Sequence, residues 1–149
     1  MKIFLDEFVV DRAAGSPAEQ LSVILLIEAI RVKCDITIFT PGLLAKYYKK
    51  IKSYEKRFRP QPKAIKSFAA FLQDSIKATI MDEPPNVELP EKLKSDRELI
   101  AAVIACDSEK ILITTDEDLI SFLQEASITT EHDIEAIKPE TAMEKMGYV

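Results

Sequence analysis

Residues 111–118 have the sequence ILITTDED, an apolar run that ends in acidic residues. Its β-branched and apolar residues give the strongest strand pattern in the chain. The acids that follow predict that this strand delivers carboxylates at its carboxyl end. Residues 1–6, MKIFLD, repeat the pattern at the start of the chain. In open α/β sheets, ligands bind in the crevice at such strand ends.

A third acidic segment, residues 95–98, has the sequence SDRE and opens an apolar helical pattern. Together the three segments predict that Asp6, Asp96 and Asp116 meet at one rim of one sheet. Carboxylates that converge repel one another unless a cation lies between them. Hard cations such as Mg²⁺ and Mn²⁺ prefer oxygen ligands. We therefore predict a magnesium or manganese site at these acids.

Each acid also has a purely structural interpretation. Residues 95–98 and 115–118 both match the capping box, in which Ser or Thr is followed three residues later by an acid. Asp96 and Asp116 would then lie in the first turns of helices, where the helix dipole favours a negative charge. Asp6 is equally compatible with a turn. Only the combination of the three acids favours a metal site.

Strand and helix patterns alternate along the chain. The predicted strands are residues 2–5, 36–39, 111–114 and 134–137, with a brief one near residues 87–89. The predicted helices are a capped helix from Ser16 to about Val32, one from Pro41 to the prolines at 60 and 62, residues 63–80, residues 96–106, and short helices from Asp116 and Pro139. This alternation is typical of an α/β domain with a mostly parallel sheet and helices on both faces.

Length and composition limit the kinds of protein and functional site that this chain can be expected to form. The 149 residues fit one domain, and no apolar run approaches the roughly 20 residues of a membrane span. Cys34 and Cys106 are far apart and the first strand starts at once, so we expect a cytoplasmic protein without a signal peptide or membrane segment. The sequence lacks GxGxxG and GxxxxGK[ST] motifs. His132 is the only histidine, which disfavours zinc and Ser-His-Asp sites.

Basic residues cluster between residues 46 and 66, which hold nine of the 20 Lys and Arg residues but only one acid. Several of them share one helical face, opposite a stripe whose tyrosines we expect in the core. On a chain of net charge −5, such a face predicts contact with phosphate backbones, and an ordinary solvated face is the alternative. The candidate RNA-binding residues are Lys46, Lys49, Lys50, Lys52, Lys56, Arg57 and Arg59.

The ordered set of segments IFLD (residues 3–6), SDRELIAA (residues 95–102) and LITTDEDL (residues 112–119) resembles the PIN domain. The closing IKPETAM (residues 137–143) is similar to that family's final strand-to-helix turn. The resemblance covers nearly the whole chain. It implies a three-layer α/β/α fold and a metal-dependent ribonuclease, often the toxin of a toxin–antitoxin pair and often a dimer.

The resemblance also assigns roles by position. Asp6, Asp96 and Asp116 would bind Mg²⁺ or Mn²⁺ and carry catalysis. Asp118 would be an auxiliary acid at the same metal site, and Thr114 matches the hydroxyl residue that usually precedes the last acids. RNA would be the substrate, and an antitoxin protein would be a partner.

The chain departs from the family pattern in two places. Glu7 and Phe8 replace the small polar pair that usually follows the first Asp. Lys46 stands where the helix that follows residues 40–41 should carry a Glu. Glu28, in an apolar helix, is a candidate replacement or a solvent-facing residue. A catalytically inactive module that binds RNA or a protein is therefore the competing hypothesis, ahead of a nucleotide-binding domain of another family.

Overall fold

The computed structural model describes residues 1–33, 35–57 and 60–147. Within these residues the strands are β1 (Lys2–Leu5), β2 (Ile36–Phe39), β3 (Ala78–Ile80), β4 (Lys110–Ile113) and β5 (Glu135–Ile137). They form one sheet in the order β3-β2-β1-β4-β5, and every pair of neighbours is parallel. The predicted α/β class with a parallel central sheet is therefore confirmed.

Helices flank this sheet, as expected of a three-layer α/β/α fold. They are α1 (Phe8–Arg12), α2 (Pro17–Val32), α3 (Pro41–Arg57), α4 (Lys63–Leu72), α5 (Arg97–Ala105), α6 (Glu117–Glu125), α7 (Ile128–Glu131) and α8 (Pro139–Lys145), with a 3₁₀ helix at Glu91–Asp96. Helix α2 packs against α4 and α8, while α6 packs against α7 and the 3₁₀ helix. The right-handed crossovers that parallel strands favour predict that the helices leading to β2 and β3 lie on the face opposite those leading to β4 and β5.

The central strand β1 and its neighbour β4 are almost entirely buried because apolar residues lie on both of their faces. They pair along their full length, with Leu5 opposite Ile113. The Asp6 N–H then donates to the Ile113 carbonyl at 2.9 Å. This register brings the carboxyl ends of β1 and β4 side by side, which positions the residues that follow each strand.

Local signals set the starts of two long helices. The capping box predicted at Ser16 forms: the Glu19 N–H donates to Ser16 Oγ at 3.2 Å, and the Ser16 N–H donates to Glu19 Oε1 at 3.0 Å. At the start of α3, the Leu43 N–H donates to the Thr40 hydroxyl oxygen at 3.1 Å. Both contacts satisfy N–H groups that a helix start leaves without backbone partners.

The prediction of one helix over residues 63–80 is wrong. Helix α4 ends at Leu72, and residues 78–80 form the edge strand β3, which pairs with β2. The Asp74 carboxylate accepts hydrogen bonds from the N–H groups of Ile76 and Lys77 at 3.1 and 3.3 Å, a turn that competes with helix continuation. The strand predicted near residues 87–89 is absent from the described structure, where this segment has no regular element.

Two short helices, α1 and α7, were not predicted, because neither extends over enough residues to show a period. Within the described segments, no helix combines the length and the apolar character needed to cross a bilayer. Cys34 and Arg59 lie outside the described residues.

Candidate functional site

Asp6 is the residue that directly follows β1, and it is only 2% exposed. Its Oδ2 accepts a hydrogen bond from the Thr114 hydroxyl at 2.6 Å, and Thr114 is the corresponding residue after β4. The Thr114 oxygen in turn accepts from the Asp116 N–H at 3.0 Å. One hydroxyl therefore connects the buried carboxylate with the loop that leads into α6.

Burial is the main influence on the charge of Asp6. It raises the pKa of the Asp6 carboxyl to about 6, against the hydrogen bond from Thr114, which lowers it. The negative charges of Asp96 and Glu7 raise the same pKa further. A carboxylate in this position is poorly solvated and lies beside like charges, so a proton or a cation stabilises it.

Asp96 lies at the junction between the 3₁₀ helix and α5 and is half-buried. Burial raises the pKa of its carboxyl, and so do the charges of Asp116 and Glu7, while Lys46 and a hydrogen bond with Ser95 lower it. Asp96 thus interacts with every other acid of this group. We name Asp6, Glu7, Asp96 and Asp116 the acidic cluster.

Asp116 occupies the N-cap of α6 rather than the first turn. Its Oδ1 accepts hydrogen bonds from the N–H groups of Asp118 and Leu119 at 3.0 and 3.2 Å. The expected capping box of Thr115 and Asp118 is therefore replaced by a single Asp cap. Asp118 is exposed in the first turn of α6.

The capping box expected from Ser95 and Glu98 does not form either, since the described contacts of α5 include no side-chain cap. Glu98 Oε1 instead accepts from the Thr40 hydroxyl at 2.6 Å, across to the start of α3. Gly42 makes room for this contact, because a Cβ at that position would overlap the Glu98 carboxylate. Glu98 therefore ties α5 to α3 next to the acidic cluster.

A cavity of about 10 Å³ lies inside the acidic cluster, lined by Asp6, Glu7, Leu43, Lys46, Asp96 and Leu99. That volume accepts about one water-sized group. Oxygen donors suit Mg²⁺ or Mn²⁺, and Mg²⁺ is often bound by one or two carboxylates plus waters and phosphate. Among the described residues, however, no three His, Cys, Asp or Glu side chains are grouped closely enough to hold a metal ion. The structure brings the predicted ligands into one neighbourhood without forming a three-carboxylate site.

Lys46 is exposed one turn into α3 and lines the same cavity. It lowers the pKa of Asp96, yet no carboxylate of a described residue lies within ion-pair distance of its ammonium. Its positive charge therefore faces the acids without a direct pair. Glu28 is exposed on α2, so the solvent-facing alternative holds for that residue.

The basic face of α3 is exposed at Lys46, Lys49, Lys52, Lys56 and Arg57. Lys50 differs, because it is half-buried and its Nζ donates to Asp11 Oδ2 at 2.7 Å.

The tyrosines of α3 have structural roles, as expected. Tyr47 is fully buried against Phe39 and Phe68, and its hydroxyl donates to the Leu5 carbonyl at the end of β1. The Tyr54 hydroxyl donates to Asp11. Tyr47 therefore fixes the backbone immediately before Asp6.

From the sequence, Glu7 and Phe8 were interpreted only as departures from the PIN pattern. In the structure Glu7 belongs to the acidic cluster, and Phe8 is 40% exposed beside it. Their positions directly after Asp6 in the sequence were the signal that could have placed them at the site.

No family model, curated protein or solved structure matches this chain. The resemblance to the PIN domain therefore stays a prediction.

Proposed function

We propose that this protein is a metal-dependent endoribonuclease of the PIN type with a divergent acidic site. The observation that carries the proposal is the buried carboxylate of Asp6 beside the half-buried Asp96, at the carboxyl end of a central strand. Buried like charges are unfavourable, and a bound cation would offset that cost. The carboxyl end of a parallel sheet is also where α/β proteins bind ligands.

Asp6 and Asp96 are the residues that would hold Mg²⁺ or Mn²⁺, with Asp116 and Glu7 contributing negative charge nearby. When bound, the cation would supply a water of lowered pKa and positive charge beside the attacked phosphate. The Thr114 hydroxyl and the backbone of Glu7 hydrogen-bond to the Asp6 carboxylate and hold it in place, and this carboxylate would be the ligand from β1. Asp118, the expected auxiliary acid, is exposed at the edge of this region.

The exposed basic face of α3 supports RNA as the substrate, because phosphate backbones bind clustered Lys and Arg residues. Lys46 joins that face to the cavity of the acidic cluster. The same proposal includes what the resemblance implies: a cytoplasmic protein, a homodimer and an antitoxin protein as partner.

One observation favours a second candidate, a PIN-like module that binds RNA or a protein without cutting it. Lys46 places a positive charge next to Asp96, where a family member would carry a Glu. An ammonium at this position competes with a metal ion for the same carboxylates. Weak metal binding and slow or absent cleavage are the consequence expected of this candidate.

Calorimetry with Mn²⁺ and an RNA cleavage assay test the two candidates together. Asp6→Asn and Asp96→Asn should each weaken Mn²⁺ binding and cleavage by at least about 10- to 100-fold, the range seen even for residues that only support metal ligands. Lys46→Glu should tighten Mn²⁺ binding because it replaces a competing charge with a further carboxylate. Glu28→Gln, an exposed acid on α2, is the matched control and should change neither property.

The outcomes separate the candidates. Cleavage by the natural chain that Asp6→Asn abolishes supports the nuclease, whereas RNA binding without Mn²⁺-dependent cleavage supports the inactive module. Unaltered Mn²⁺ binding in both Asp variants would rule out the metal site.

RNA binding by the basic face is tested separately. Charge reversal at Lys49, Lys52 and Lys56 should weaken RNA affinity and flatten its dependence on salt. The reason is that each lost phosphate contact lowers the number of counterions released when RNA binds. Charge reversal at Lys63 and Lys66, which are exposed on α4, is the control and should have a smaller effect. The same loss of affinity per reversed charge in both variants would mean that only net charge matters.

A further inference from the structure

Phe8, the first residue of α1, exposes 40% of its surface although phenylalanine is among the residues most often buried. It borders a pocket of about 390 Å³, whose other lining residues are Thr115, Asp116, Glu117 and Asp118. An accessible aromatic ring therefore lies two residues from Asp6 and directly beside Asp116.

One charged side chain, Lys50, lies against the ring of Phe8. The Lys50 ammonium lies 5.1 Å from the ring centroid. Lys50 is itself anchored, because its Nζ donates to Asp11 Oδ2 at 2.7 Å and the same carboxylate accepts from Tyr54. Cation–π attraction to the anchored Lys50 favours this orientation of the Phe8 ring.

The two sides of Phe8 differ in charge. On the α3 side, Lys46 is exposed one turn from Lys50, and residues four apart lie on the same side of a helix. On the α6 side, Glu117 bonds to Lys138, whereas the described structure shows no hydrogen bond or ion pair to the carboxylate of Asp118. The pocket is therefore lined by the aromatic ring and by the acids Asp116, Glu117 and Asp118, and Lys50 of α3 lies against the ring.

We infer that Phe8 is a stacking platform for one base of single-stranded RNA. Aromatic side chains stack bases in many proteins that bind single strands, since every base has a flat face. The adjoining phosphates would face Lys46 and the rest of the α3 basic face. Asp118 would accept from base amino groups, which favours adenine, cytosine and guanine over uracil. This inference rests on the proposed function, because it names how the same site holds its substrate.

A unique fluorophore tests the inference, because the chain contains no tryptophan. Phe8→Trp places the only indole at the pocket, and Leu25→Trp, at a site 43% exposed on α2, is the matched control. Each is titrated with short oligoadenylate, oligocytidylate and oligouridylate in the presence of EDTA, so that cleavage plays no part. We expect saturable quenching in Phe8→Trp and none in Leu25→Trp.

Affinities measured by fluorescence anisotropy of labelled RNA complete the test. Phe8→Ala should weaken binding by about 5- to 100-fold, the loss expected for one stacked base. Phe8→Tyr should retain binding, and Asp118→Asn should reduce the preference for adenine and cytosine over uracil. Double-stranded RNA should quench Phe8→Trp less than a single strand, because its bases are not accessible.

Failure of this inference differs from failure of the proposed function. RNA binding that leaves the Phe8→Trp emission unchanged and tolerates Phe8→Ala would overturn the platform, while the nuclease proposal would stand. Absence of RNA binding by the natural chain would overturn both the stacking platform and the ribonuclease proposal. Quenching by double-stranded RNA as strong as that by single strands would also reject the platform.

Discussion

The two acid-bearing helix starts, residues 95–98 and 115–118, share a sequence pattern but differ in what their side chains do. In the second, Asp116 accepts two N–H groups of its own helix. In the first, Glu98 crosses to the Thr40 hydroxyl, and Asp96 is half-buried among other acids. The shared pattern therefore specifies only that a helix begins.

This difference separates a structural acid from an acid available for binding. The hydrogen bonds that Asp116 accepts stabilise α6. Burial raises the pKa of the Asp96 carboxyl, and so do the charges of Asp116 and Glu7, so all three oppose its ionisation. At this helix start, Glu98 instead bonds to Thr40 and ties α5 to α3.

The largest expected effect lies in the pH dependence of stability. The pKa of Asp6 is raised from 3.8 to about 6, so between these values the folded chain binds more protons than the unfolded chain. The contribution of protonated Asp6 to the free energy of unfolding is therefore fully present below about pH 4, and it is lost as the pH rises through about 6. Asp6→Asn should raise the free energy of unfolding at neutral pH by on the order of 3 kcal/mol, with no gain at about pH 4.

Urea unfolding of the natural chain and of Asp6→Asn across this pH range checks the prediction. Asp118→Asn, at an exposed acid, is the control and should show no such divergence. Parallel curves for the natural chain and Asp6→Asn would show that burial does not oppose the ionisation of Asp6.

A smaller effect is expected from the contact that secures residues 95–98. Thr40 is fully buried; its hydroxyl donates to Glu98 and accepts from the Leu43 N–H. Thr40→Val removes both bonds and should lower the free energy of unfolding by about 2 kcal/mol. Thr40→Ser should retain most of that stability.

Thr37 supplies a matched control, because it is equally buried but its hydroxyl has no partner within the described structure. Thr37→Val should leave the stability unchanged or increase it, since it removes an unsatisfied polar group. If both Val variants lose the same stability in urea unfolding, the Glu98 contact contributes nothing specific.

The smallest effect comes from the cap itself. Asp116→Ala should lower the stability by about 1 kcal/mol, or roughly 2–4 °C in Tm, because the two N–H groups of α6 lose their acceptor. Asp116→Asn should retain the stability of the natural chain, since Asn also caps helices. Asp96→Ala should cost less than Asp116→Ala, and differential scanning calorimetry on the three variants measures the difference. An equal loss of stability in Asp96→Ala and Asp116→Ala would show that Asp96 acts as an ordinary N-cap.

The elements predicted correctly are those with strong local signals. The bounds of β1, β2 and α2 match their predictions, because apolar runs and a capping box define them without help from distant residues. Strand β3 was missed because Ala78–Ile80 is a short edge strand that exists through its pairing with β2. Its sequence continues the helical pattern of α4, and only the turn at Asp74 interrupts that pattern.

The sequence by itself determined the α/β alternation and the placement of Asp6, Asp96 and Asp116 at strand and helix boundaries. Those features depend on periodicity and capping within a few residues. Only the tertiary structure decided which of these acids is buried, which one caps a helix, and that Lys46 faces them. Burial and charge interactions depend on distances between residues remote in sequence, as in the bond between Thr114 and Asp6, whose partners are 108 positions apart.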